Sequence, residues 1–129
     1  MTNKILGIDY GRSKVGLAIA EGSLSEPLKV IRYKDIKILR EQIKQIVQKE
    51  NIDKIVVGVS EGEMGVESRE FGLTISHQSL AIVEFFDETL TSQDAQTLSR
   101  EAGVPQKKRR EMEDAYAASI MLQNYLNSK

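Results

Sequence analysis

The apolar residues of this chain change period near residue 35, and that change restricts the fold more than any other feature. Before it stand three short apolar runs, KILGID (Lys4–Asp9), KVGLAIA (Lys14–Ala20) and PLKVIRY (Pro27–Tyr33), separated by YGRS and EGSLSE. Such runs with turn residues between them read as consecutive strands, the first two forming a hairpin in which Gly11 offers positive φ cheaply. Pro27 stands at the entrance of the third, where a missing N–H does little harm. Beyond residue 35, Ile36, Leu39, Ile43, Ile46 and Val47 recur at spacings of three and four, which predicts an amphipathic helix capped by Asp35.

The rest alternates. KIVVGV (Lys54–Val59) and LAIVEFF (Leu80–Phe86) are continuously apolar, as strands buried on both faces are, and VESREFGLTISHQ between them reads as a helix interrupted by Gly72. TSQDAQTLSREAG reads as a helix with Thr91 or Ser92 as its cap and Gly103 past its end. VPQKKRRE reads as a basic loop, and the last helix begins at Asp114 and sets Ala115, Ala118, Leu122, Tyr125 and Leu126 on one face. The order βββαβαβαα predicts an α/β fold, a three-strand meander continued by two crossover strands into a mixed sheet flanked by helices. At 129 residues this is one domain, 1–129.

Composition removes several kinds of chemistry. There is no cysteine, so neither disulfides nor thiolates are available, and the lone His77, read as a surface helix residue, cannot build a zinc site. No apolar run approaches the ~18 residues that span a bilayer, which predicts a cytoplasmic protein without membrane contact. A net charge of −1 means that any nucleic-acid binding must rest on local basic groups.

Those exclusions leave the acids. In an open α/β sheet, ligands gather outside the carboxyl ends of the parallel strands. Asp9 closes the first strand, Asp87 and Glu88 follow the AIVEFF strand, and Asp114 lies one turn before Ala118 on nearly the same helix face. The small residues of DAYAAS let that helix approach the sheet and carry Asp114 toward the other acids. Like charges ~4 Å apart repel by ~1 kcal/mol in water and ~4 kcal/mol near a protein surface. A divalent cation removes the conflict, and an all-carboxylate set selects a hard one, Mg²⁺ or Mn²⁺, suited to phosphodiester hydrolysis. Taken singly, each acid also suits a plainer role as turn former, loop starter or solvated helix residue.

Four blocks in order, GIDYGRSKVGLAIA, IVVGVSEGEMG, FFDETLTSQDAQ and MEDAYAASIMLQNYL, cover nearly the whole chain and resemble the YqgF/RuvX family of ribonuclease H-like nucleases. The resemblance implies a five-stranded mixed sheet and a metal-dependent nuclease, described in the family as a Holliday junction resolvase and as the nuclease maturing the 5′ end of the 16S ribosomal RNA precursor. It implies metal-binding catalytic acids at Asp9, at Asp87 or Glu88 with Glu88 favoured, and at Asp114. Two departures stand out. Thr89 takes the place of the family's usual arginine, and VSEGEMG replaces a loop that usually reads Pro-Leu-Asn-Met-Asp-Gly, which adds the negative charges of Glu61 and Glu63 beside the expected phosphate path.

Candidate phosphate contacts are Gly11, Arg12 and Lys14 around the first turn, and Lys107, Lys108, Arg109 and Arg110 before the last helix. Four consecutive basic residues equally suit a solvated loop. Tyr10, beside Asp9, is the aromatic residue placed to stack on a base; Phe85, Phe86, Tyr116, Tyr125 and Met121 read as packing. The resemblance implies a nucleic-acid substrate, a ribosomal RNA precursor or branched DNA; the sequence leaves open which of these or another structured RNA it is, and whether two chains pair on a two-fold junction. Two other readings compete. One is a binding relative whose altered loops have weakened turnover. The other is an actin-like ATP-binding module, which needs two related domains where this chain has one.

Overall fold

The structure, a computed structural model, describes residues 4–60, 62–78, 81–87 and 106–128, with the backbone alone for 106–110. Five strands form one sheet: β1 (Lys4–Asp9), β2 (Lys14–Glu21), β3 (Leu24–Arg32), β4 (Lys54–Val59) and β5 (Ile82–Asp87), in the spatial order β3-β2-β1-β4-β5. β1–β2 and β2–β3 are antiparallel, β1–β4 and β4–β5 parallel. The described helices are α1 (Ile36–Glu50), α2 (Glu63–Gln78) and α3 (Gln106–Asn127). The expected meander and crossovers are therefore present. The helix expected over TSQDAQTLSREAG falls outside the described residues.

Local chemistry accounts for the boundaries. Asp35 caps α1 with its carboxylate accepting from the Lys37 N–H at 2.9 Å, and Asn51 ends the helix in the left-handed region at φ 55°. β3 starts earlier than expected, because Gly22, at φ 83°, and Ser23 make a two-residue hairpin turn that leaves Ser25 and Glu26 in the ladder. Pro27 consequently lies inside β3, tolerated on an edge strand at a register shift: Ala18 faces Pro27 and Leu17 faces Lys29, so Leu28 is the extra residue. Helix α2 runs unbroken through Gly72, whose missing side chain makes room for the Phe85 ring: a Cβ there would lie 2.5 Å from it. Residues 106–127 contain no glycine or proline and many strong helix formers, so Gln106–Glu111 of the segment expected as a basic loop are helical, in α3; Val104 and Pro105 fall outside the described residues.

The sheet divides the core in two. On one face Leu6, Ile8, Leu17, Ile55 and Val57 pack with Leu39 and Ile43 of α1 and Phe71 and Ile75 of α2. On the other, Ala18, Ala20 and Val56 meet Ala118, Met121, Leu122 and Tyr125 of α3. Alternation along β1 follows from this division, with Leu6 and Ile8 toward α1 and α2, and Gly7 against Leu122 of α3.

Candidate active site

Asp9 continues the alternation: it ends β1 on the face that carries Gly7, the α3 face, and is half-buried. Its partner across the β1–β2 ladder is Gly16. A Cβ built on Gly16 would fall onto the main-chain carbonyl of Asp114, far inside any real contact, so the α3 backbone touches the sheet at that residue. Asp9, Gly16 and Asp114 thus converge at one end of one face. Ala115 and Ala118, fully buried, let the helix lie this close, as their size suggested. Asp114 sits about two turns into α3 rather than at its start, so its carboxylate is held by packing rather than by a helix end.

The charge of Asp114 is balanced internally. Lys14, which opens β2 two residues before Gly16, places its ammonium 3.1 Å from the Asp114 carboxylate, with both side chains roughly one-third exposed. A cation therefore already stands against this acid. Asp87 ends β5 opposite Val59, on the same face as Val57 and Phe85, and shares a cleft with Val59, Ser60 and Arg69. That is the α2 side of the sheet, the reverse of Asp9. Glu88 lies outside the described residues, as do Glu61 and Thr89. Among the described residues no three metal-ligating side chains form a cluster.

The first turn shows why its residues are what they are. Gly11 does not use positive φ, contrary to expectation; the Lys14 carbonyl approaches so closely that a Cβ would lie 2.5 Å from it. The Tyr33 hydroxyl donates to the Gly11 carbonyl, which ties β3 to the turn, and burial pushes the Tyr33 phenol well above its ordinary value. The Tyr10 ring stacks on Phe71 of α2 with centroids 4.6 Å apart, so one of its faces is committed to packing. Arg12 is held by Glu67 of α2: Nε donates to both carboxylate oxygens at 3.2 and 3.0 Å, and Nη2 donates to one at 2.6 Å. Glu63 adds a second carboxylate 3.5 Å from the same guanidinium. The hydrogen bonds from Arg12 hold the Glu67 carboxyl below the usual carboxylate range, and Glu67 raises the Arg12 guanidinium in turn.

The model of the RuvX family, described as Holliday junction resolvase, matches residues 3–128. This chain belongs to the RuvX family. A "Putative pre-16S rRNA nuclease" of Agathobacter rectalis is 31% identical, over 96% of this chain and 94% of that protein. One of the same name from Chloroflexus aurantiacus is 34% identical, over 97% and 87%. In fold, the RuvX chain is similar to Thermus thermophilus RuvC, solved with a Holliday junction substrate (TM-score 0.66, 13% identity, 98% and 96% coverage). It is also similar to the Fowlpox virus resolvase, solved with Holliday junction DNA (TM-score 0.64, 15% identity, 99% and 98% coverage). The fold is thus the ribonuclease H-like one, and the family is one of nucleases, hydrolases of phosphodiester bonds.

Several expectations for the RuvX chain meet the structure directly. Asp9, Asp114 and Lys14 come together; Arg12 points to α2 and its carboxylates instead. The side chains of Lys107, Lys108, Arg109 and Arg110 lie outside the described residues. His77 is exposed on α2. No helix among the described residues is long and apolar enough to cross a membrane. Gly16 escaped the sequence reading: its signal was a glycine in an otherwise apolar strand, the usual mark of close backbone approach. Glu67 escaped it too, because nothing in a helical VESRE segment announces a partner 55 residues earlier.

Proposed function

We propose that this RuvX chain is a single-domain, divalent-metal-dependent nuclease over residues 1–129, acting in the cytoplasm on the 5′ end of the 16S ribosomal RNA precursor. The observation that carries the reading is the contact of Gly16 with the Asp114 backbone, which brings two carboxylates from residues 105 positions apart to one end of the sheet. The donor chemistry fits a hard cation: the acids present are carboxylates, one of them already against an ammonium, with no imidazole or thiolate among the described residues nearby. Asp9, Asp114 and Glu88 would hold Mg²⁺ or Mn²⁺. When bound, such an ion supplies an activated water and stabilises charge on the leaving oxygen.

The chain's own groups do the rest. Gly16 fixes the height of Asp114 over β2, because any side chain there would push α3 away. Lys14 neutralises Asp114 and offers an ammonium to a phosphate oxygen beside the acids. Lys107, Lys108, Arg109 and Arg110, in the first turns of α3, add positive charge on the helix that carries Asp114. The Holliday junction is the competing substrate, favoured by the family's description, and its two-fold symmetry would suit a pair of chains.

The test is a cleavage panel of a 16S precursor fragment, an unrelated structured RNA and a four-way DNA junction, run with magnesium, manganese and chelator. Asp9→Asn and Asp114→Asn should remain folded and lose cleavage of whichever substrate the wild type cuts. Cleavage by Asp9→Asn at the wild-type rate would place the chemistry elsewhere.

A further inference from the structure

Arg12 and Lys14 are the two cations of the β1–β2 turn, and the helices on the two sides of the sheet treat them differently. Among the described residues Lys14 meets one carboxylate, Asp114. Arg12 meets two, Glu67 and Glu63, so the group of three carries a net charge of −1 by simple count. A carboxylate that merely oriented an arginine for phosphate would leave the ensemble neutral. Here the fork that matches a phosphate, Nε and Nη2, is filled by Glu67. Glu63, with its side chain 92% exposed, faces whatever approaches.

We propose that Glu67, assisted by Glu63, is a specificity-determining residue that withholds Arg12 from nucleic acid and turns the phosphate chain away from the α2 side of the turn. The backbone of the substrate is thereby confined to the α3 side, where Lys14 and the acids lie. The proposal rests on the nucleic-acid reading of this site and adds to it a direction of approach. Geometry supports it from both elements: Arg12 is fixed by a tight turn, and Glu63 and Glu67 lie one helical turn apart on α2, on the face toward that turn.

Binding can be followed by fluorescence anisotropy in chelator, so that no cleavage intrudes, for a labelled single-stranded RNA and a four-way junction across 50 to 200 mM salt (values on the order of those where phosphate contacts are resolved). Glu67→Gln should bind about three- to tenfold more tightly at low salt. Its affinity should fall more steeply with salt, by about 0.7 in slope on single strands and about 0.9 on duplex, the worth of one phosphate contact. Glu63→Gln/Glu67→Gln should gain further, and adding Arg12→Ala to Glu67→Gln should erase its gain. Unchanged or weaker binding by Glu67→Gln would overturn the proposal, as would a gain that survives Arg12→Ala. Cleavage by the wild type and its loss in Asp9→Asn are read in a separate assay, so an active nuclease with an insensitive Glu67→Gln overturns the mask alone. Should no variant bind any nucleic acid and the wild type cut none, both readings fall.

Discussion

The two faces of the sheet are built on opposite principles. Toward α1 and α2 the sheet presents Leu6, Ile8, Leu17, Ile55 and Val57, fully buried branched side chains that hold the helices at a distance and supply apolar burial. Toward α3 it presents Gly7, Gly16, Ala18 and Ala20 beside Val56; the helix brings Ala115 and Ala118 to this surface and touches the sheet backbone at Gly16, with Met121, Leu122 and Tyr125 filling the rest. The first face gives stability, at roughly 1.5–3 kcal/mol for each large aliphatic side chain buried. The second gives position. It sacrifices apolar volume to bring the backbone of Asp114 against Gly16, the ladder partner of Asp9. Polar ties secure the close face: Ser25 on edge strand β3 donates its hydroxyl to the Ser119 carbonyl at 2.6 Å, and the Gln123 side chain accepts from the Ser25 N–H and donates to the Ser23 carbonyl.

Breaking each face should produce different failures. The largest loss of stability is expected from Ile55→Ala, about 2–5 kcal/mol by chemical denaturation, with the acid site intact in the fraction that remains folded. Gly16→Ala should cost less, about 1–3 kcal/mol, yet reduce cleavage far more per folded molecule, because the added methyl displaces Asp114. If Gly16→Ala melts lower but cuts normally, the close face does not position the acids. Ser25→Ala should cost about 0.5–1.5 kcal/mol, the range of a lost hydrogen bond, read from the same denaturation curves.

The smallest effect is expected at the exposed Arg12–Glu67 pair, and it has a pH signature. Because the folded-state carboxyl of Glu67 lies below its unfolded value, its contribution is present above the unfolded pKa of about 4.3. It is lost as pH falls through the folded value. The stability difference between wild type and Glu67→Gln should therefore be small near neutrality and shrink on acidification. A difference that grows as pH falls would contradict the pairing. Salt should diminish it as well, since the pair is open to solvent.

How far the sequence could be read differs between these same regions. The α1 and α2 face was legible because periodicity reports burial: the stripe from Ile36 to Val47 and the unbroken KIVVGV run have one physical interpretation each. Asp35 as a cap was legible for a similar reason, since capping is a local bond between neighbours along the chain. The start of α3 is not legible in the sequence, because a run of basic residues describes charge, and charge alone does not distinguish a loop from a solvated helix. At Gly11 the constraint is close approach by the Lys14 carbonyl and not φ freedom, and such an approach leaves no local pattern.

By itself, then, the amino-acid order determined what depends on near neighbours: the strands, their meander, the helix periods and a supply of carboxylates with no cysteine and a single histidine beside them. Which acids meet was decided by tertiary packing. Asp9 and Asp87 both end strands in the sequence, and the parity of a strand's last residue relative to its buried ones sends them to opposite faces. The commitment of Arg12 to Glu67, and of Lys14 to Asp114, was likewise a tertiary outcome, because pairing between groups 55 and 100 residues apart follows from where the helices dock and not from any local pattern.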